Sequence, residues 1–198
     1  MSGVSRRREL LLGAGIGTTG IAVTVALMAA AGDVDAGGFE PHADVLLRGL
    51  VVLGVAAVVE ELVFRALVLG GLVRLTESAA LALVLSSTLF GLLHLVTTED
   101  TTTLSLLSTV LGGVMYGLAY LRTGRIWLGV GIHFTWNVVQ SSVLGFTMSG
   151  TDDFSGGLWH LSGGGDYGPE GTAFSLVGRA VVIALVLVVT RRDPRRGP

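Results

Sequence analysis

Cysteine is absent from the 198-residue chain. That excludes disulfides, a thiolate nucleophile and any cysteine-ligated metal. Lysine is absent too: all 13 cations are arginine, a compositional habit that explains nothing position by position. Charge of either sign is scarce, at 14% against 51% hydrophobic residues, and mean hydropathy is +0.72. A soluble domain of this size would carry more charge, so the composition is that of a membrane protein. The net charge of -2 argues neither for nor against nucleic acid, and no nucleic-acid partner is expected. The chain also has no internal repeat and no alternating barrel pattern.

What is present is a series of long apolar runs. A helix needs about 20 predominantly apolar residues to cross the hydrocarbon core. Six such stretches stand out, at 10–31, 45–73, 79–96, 104–121, 126–146 and 173–190. Backbone hydrogen bonding in lipid makes them helices, so the expected class is all-α, a polytopic bundle of about six transmembrane helices. Arginines fall at Arg6, Arg7 and Arg8, at Arg74, at Arg122 and Arg125, and at Arg191, Arg192, Arg195 and Arg196. The alternate connections 32–44, 97–103 and 147–172 contain none, only acids such as Asp33, Glu99, Asp100, Asp152 and Asp153. The positive-inside rule then puts both termini in the cytoplasm of a multi-pass protein of the cell membrane.

The opening SRRRELLLG followed by MAAAGD resembles a twin-arginine export signal, but its apolar part is longer than a signal's usual 7 to 15 residues. An uncleaved first helix is expected. The run 45–73 would reach roughly 43 Å as one helix, beyond a hydrocarbon core of about 30 Å, so it must tilt, kink or protrude. The stretch 156–171 is glycine-rich and reads as a mobile outer loop. Gly13 with Gly17, and Gly113 with Gly117, are spaced for close helix packing. Gly112, Gly113, Gly129 and Gly131 could let helices part to admit a substrate. Arg48 and Arg179, near outer span ends, are expected to snorkel.

Within the second run, VVEELVFRAL places Glu60, Glu61 and Arg65 where water should be absent. An ionisable group at a span's centre costs roughly 2.5 to 3.5 kcal/mol on insertion scales, so the trio needs a reason. Glu61 and Arg65, four residues apart with the acid first, can pair on one helix face. Glu60 points about 100° away and has Phe64 at its i+4 position, which leaves its carboxylate free for chemistry. In FGLLH, Phe90 and His94 share a face; in HFTWN, His133 and Asn137 do. Counted from the inferred cytoplasmic ends at about 1.5 Å per residue, Glu60, His94, Asn137 and His133 lie about 20, 22, 16 and 10 Å deep.

A carboxylate beside an imidazole in a poorly solvated cavity can deprotonate a water for attack on a carbonyl. A second imidazole and an amide N–H can donate to the oxyanion that develops. The same Glu60, His94 and His133 could instead ligate zinc with water in the open position, although H-E-x-x-H is absent. Whether any cofactor is needed is therefore open, with none required in the glutamate mechanism and zinc the possible metal.

The set Glu60-Glu61-x-x-x-Arg65, Phe90-x-x-x-His94 and His133-x-x-x-Asn137, in this order on three spans, resembles the CAAX-protease and bacteriocin-processing family of intramembrane endopeptidases. The resemblance implies that Glu60 and His94 activate the catalytic water and that His133 and Asn137 form the oxyanion hole, with Glu61, Arg65 and Phe90 supporting. It covers 45–146, which reads as the protease core; 1–44 is an N-terminal helix and outer loop, and 147–198 an outer loop, last helix and basic tail. Prenyl-protein processing members tend to have more than six spans, so a membrane-associated protein or peptide is the implied partner, without a prenyl group being implied. GGGD at 163–166 matches the G-x-G-D of intramembrane aspartyl proteases but has no partner acid in a span. Ser149 and Ser162 are in the same outer loop, which sets serine proteolysis aside. Two other classes use the same residues. A transporter or binding protein would relay protons or cations through Glu60, His94 and His133, and a scaffold or immunity protein would keep the cluster without cleavage.

Overall fold

The structure, a computed structural model, describes residues 5–98 and 101–191. Its helices are α1 (Arg6–Ala30), α2 (Ala43–Glu61), α3 (Gly70–Thr76), α4 (Ala79–Thr97), α5 (Thr103–Thr123), α6 (Trp127–Val138) and α7 (Ala173–Val189). Two short strands, β1 (Asp35–Phe39) and β2 (Trp159–Ser162), pair antiparallel. The protein is thus an all-α helix bundle with a small two-stranded clip.

Local chemistry sets the helix ends. Ser5, Ser78, Thr102 and Thr172 each accept a hydrogen bond from a first-turn N–H, and Thr102 forms a reciprocal capping box with Ser105. Such caps satisfy N–H groups that a helix start leaves without partners. Gly124, at φ 69°, ends α5 in the left-handed conformation that glycine adopts at no steric cost.

The long second run resolves into one continuous rod. α2 passes into a π-helical stretch, Leu62–Leu69, and then into α3. Wider turns of this kind are rare and recur at functional sites. Arg65 lies inside the stretch and the acid pair ends the α-helix just before it.

By length and composition, α1, α4 and α5 can each cross a membrane, and α7 is a shorter apolar helix. The distribution of side chains agrees. Val51, Val55 and Val59 on α2, and Val84, Leu89 and Leu92 on α4, face outward, while Glu9, Glu61, Arg65, Ser86, Ser87, Ser108 and Gln140 are buried. An apolar exterior around a polar interior suits a lipid solvent.

α1 crosses α6 most closely, at Gly13 and Gly131: a Cβ on Gly131 would lie 2.4 Å from the Leu10 carbonyl. This glycine marks a locked crossing rather than a place where helices part. At one end of the bundle Glu9 accepts from Arg125 Nε at 3.2 Å, and Arg122 donates to Thr190 at 3.2 Å. The arginine-bearing connection between α5 and α6 therefore lies beside the start of α1 and the end of α7. Arg192, Arg195 and Arg196 fall outside the described residues, as do Glu99 and Asp100.

Two expectations are corrected at the opposite end. The glycine-rich stretch 156–171 contains β2 and a 3-10 turn, Pro169–Gly171, and Leu161 N–H donates to the Leu144 carbonyl at 2.9 Å. Its glycines permit turns that fold it back over the bundle. Arg48 does donate to the Asp153 carbonyl, at 2.7 Å near the outer surface. Arg179 does not snorkel: it is 2% exposed, because Glu170 and Ser108 supply acceptors inside the bundle.

Candidate active site

A cavity of about 210 Å³ is lined by Glu60, Phe90, His94, Tyr116, His133 and Asn137, with Glu170 and Arg179 at another part of its wall. α2 contributes Glu60, α4 the pair Phe90 and His94, and α6 the pair His133 and Asn137, each pair at the four-residue spacing that shares a helix face. Glu61 and Arg65 sit just behind.

The buried pair comes first, because it orients the rest. Arg65 Nε and Glu61 Oε2 are 3.5 Å apart, at 1% and 0% side-chain exposure. Glu61 also reaches across to α6, where its Oε1 is 3.2 Å from His133 Nδ1. A carboxylate oxygen accepts, so Nδ1 carries the proton and the imidazole is held from behind. His133 Nε2 then faces Glu60 Oε2 at 3.9 Å. One imidazole is thus placed between two adjacent glutamates that point in different directions from the end of α2.

Among the described residues Arg65 has no hydrogen-bond partner for any of its three nitrogens. Its guanidinium is stacked instead, 4.7 Å from the Phe90 ring centre and 5.3 Å from that of Tyr116. A desolvated cation gains about 2 kcal/mol or more from such ring faces. Phe90, 3% exposed, is the hub: its ring meets Phe64 at 5.0 Å, His94 at 4.7 Å and His133 at 6.4 Å.

His94 is fixed by its own helix. Its Nδ1 lies 2.8 Å from the Phe90 carbonyl, so Nδ1 donates and Nε2 is the ring's acceptor in the neutral form. Glu60 keeps 34% of its side chain exposed, while Glu61 keeps none. The two adjacent acids therefore differ as the helix argument requires: one paired and buried, the other open to the cavity.

Tyr116 and Glu170 line the cavity without having been singled out in the sequence, and Arg179 and Ser149 line it although the sequence reading gave them other places. Tyr116 stacks on His133 at 4.5 Å and 17°, fixing the plane of the imidazole. The stack belongs to the ring rather than the hydroxyl. Tyr116→Phe is therefore expected to keep turnover within about threefold, and Tyr116→Ala to lower it about 10- to 100-fold through a misplaced His133; kcat of purified protein on one peptide substrate checks this.

Arg179 donates from Nη2 to Glu170 at 2.6 Å and from Nε to Ser108 at 2.8 Å, beneath the Trp136 ring at 4.7 Å. Ser149, at φ 49°, donates to Glu170 at 2.8 Å. These groups close the outer side of the cavity. Their signal was present in the position of Arg179 on an apolar helix, but only the fold names Glu170 as its partner.

A metal would need three donors converging to ligand spacing. Among the described residues, Glu60, His94 and His133 are not a group whose ligand atoms all lie within 4.8 Å of one another; Glu40, His42 and His160 are. His133 Nδ1 is engaged by Glu61, which leaves Nε2 facing the cavity; a metal-ligating imidazole commonly gives its other ring N–H to a carboxylate in this same way.

Residues 42–139 match the family model described as type II CAAX prenyl endopeptidase, Rce1-like. The matched segment runs from the N-cap of α2 to two residues past Asn137, and so spans all the cavity residues of α2, α4, α5 and α6. No curated protein and no solved structure matches the chain.

Proposed function

Through residues 42–139 the chain belongs to the Rce1-like family of CAAX endopeptidases, and on that premise we propose that it hydrolyses a peptide bond of a membrane-associated substrate with a water held by Glu60. The observation that carries the residue roles is the 3.9 Å approach of Glu60 Oε2 to His133 Nε2 in a cavity shared with His94 and Asn137.

A water at about 2.8 Å from both atoms would subtend an angle of about 90°, an ordinary bridging geometry. Glu60 takes the water's proton as its oxygen attacks the carbonyl carbon, assisted by the acceptor Nε2 of His94. The Asn137 amide donates to the oxyanion, together with His133 when Nε2 also carries a proton. Collapse of the tetrahedral adduct breaks the C–N bond. Glu60 passes the proton to the leaving amine, and the water is divided between the new carboxyl and the new amine. The protein is read as a multi-pass protein of the cell membrane, with its arginine-bearing end in the cytoplasm.

Comparing peptide termini in membranes that contain wild-type or Glu60→Gln protein tests this. Substrate termini present only with the wild type are expected. Identical termini in both, with both proteins inserted, would remove the endopeptidase reading. A change in ion or proton flux instead would favour the transport reading.

A further inference from the structure

We propose that Glu40, His42 and His160 form a divalent transition-metal site of the zinc class, separate from the Glu60 cavity and built where β1, β2 and the start of α2 meet. One ligand atom from each of the three lies within 4.8 Å of the others. His42 Nε2 is 3.7 Å from Glu40 Oε1, and the two imidazoles meet edge to face with centroids 5.5 Å apart. Bonds of about 2.0 to 2.1 Å in a tetrahedral shell would put ligands about 3.4 Å apart. Closing that gap asks little, because Glu40 is exposed and its side chain free to rotate.

The backbone holds these residues before any ion arrives. Asp35 pairs with Ser162 and Phe39 with Trp159. Beyond the strands the ladder continues: Glu40 N–H donates to Leu158 O at 3.0 Å and His42 N–H to Gly157 O at 2.8 Å. Residues far apart in sequence are thus clamped face to face, and the unfolded chain has no such arrangement.

His160 is the sharpest clue. Its Nε2 is buried without a hydrogen-bond partner among the described residues. Its ring lies against Gly156, where a Cβ would fall 2.7 Å from Cε1, and a Cβ on Gly37 would fall 2.3 Å from the His160 carbonyl. A buried imidazole nitrogen with no acceptor or donor is costly unless a proton partner or a metal satisfies it. Two imidazoles and one carboxylate suit zinc or copper, with water as a fourth ligand; magnesium and calcium prefer all-oxygen shells. A bound ion would staple β2, already hydrogen-bonded to Leu144 beyond α6, to the N-cap residue of the α2 rod.

The full chain in detergent, stripped with a chelator and titrated with zinc against a chromophoric competitor, tests the site. One equivalent is expected to bind with a micromolar or tighter dissociation constant. His42→Ala and Glu40→Gln, at a half-buried and an exposed position, should each weaken it at least tenfold while elution volume and circular dichroism stay unchanged. Glu60→Gln/His94→Ala should leave it intact, and a copper-loaded sample should show two imidazole nitrogens by electron paramagnetic resonance. Unchanged affinity in His42→Ala, loss of binding in Glu60→Gln/His94→Ala, or no binding below millimolar zinc would each overturn the proposal.

Discussion

Glu60→Gln is expected to lower kcat about 10²- to 10⁴-fold with little change in stability, measured on purified protein by release of a new amine from a peptide substrate. The amide is nearly the shape of the carboxylate, so the cavity wall persists. What disappears is the proton acceptor. Because Glu60 is part-exposed and, among the described residues, has no ion pair with an arginine, its replacement strands no buried guanidinium, unlike a change at Glu61. Retained insertion with unchanged thermal unfolding, alongside retained turnover, would show that Glu60 is not the base.

The opposite outcome is expected one residue later. Glu61→Gln removes the counter-ion of Arg65 and leaves His133 Nδ1 only a neutral amide oxygen as acceptor, in a region with 0% and 1% side-chain exposure. Removing one partner of a buried pair costs about 3 to 5 kcal/mol, since the remaining charge has no solvent. The unfolding midpoint should fall sharply. The double variant Glu61→Gln/Arg65→Met should recover much of the loss, because it removes the stranded charge, yet stay impaired in catalysis because a neutral amide holds His133 more weakly than the carboxylate does. A double variant as unstable as the single one would contradict this account. Adjacent acids would then respond in different currencies, Glu60 in rate and Glu61 in stability.

Much of this arrangement was legible from spacing. An acid and a base four apart on one helix can meet, and Glu61 and Arg65 do, at 3.5 Å. The faces of α4 and α6 that carry the four-spaced pairs line one cavity together with Glu60 of α2, while Glu61 and Arg65 sit behind it. What spacing cannot express is contact between distant segments. The ladder joining Asp35 to Ser162 forms from short, glycine-bearing stretches with no strand pattern of their own. Arg179 looked like a snorkelling end residue because its acceptor, Glu170, belongs to a loop that folds back over the bundle. Tyr116 carried no motif at all; only the packing of α5 against α6 lays its ring on His133. The π-helical stretch after Glu61 was foreshadowed only by a run too long to be a simple span.

The complete reliance on arginine gains a physical meaning where those side chains lie on rings. Arg65 and Arg179 each sit 4.7 Å from an aromatic centre, deep inside the bundle. A planar, weakly hydrated guanidinium accepts a ring face in place of solvent, whereas a compact ammonium keeps its demand for oxygen. An interior lysine at position 65 would draw moisture toward Glu61. The aromatic seat does the reverse: it keeps a permanent positive charge dry, so that hydration of the chamber is left to Glu60, the acid that is open to it.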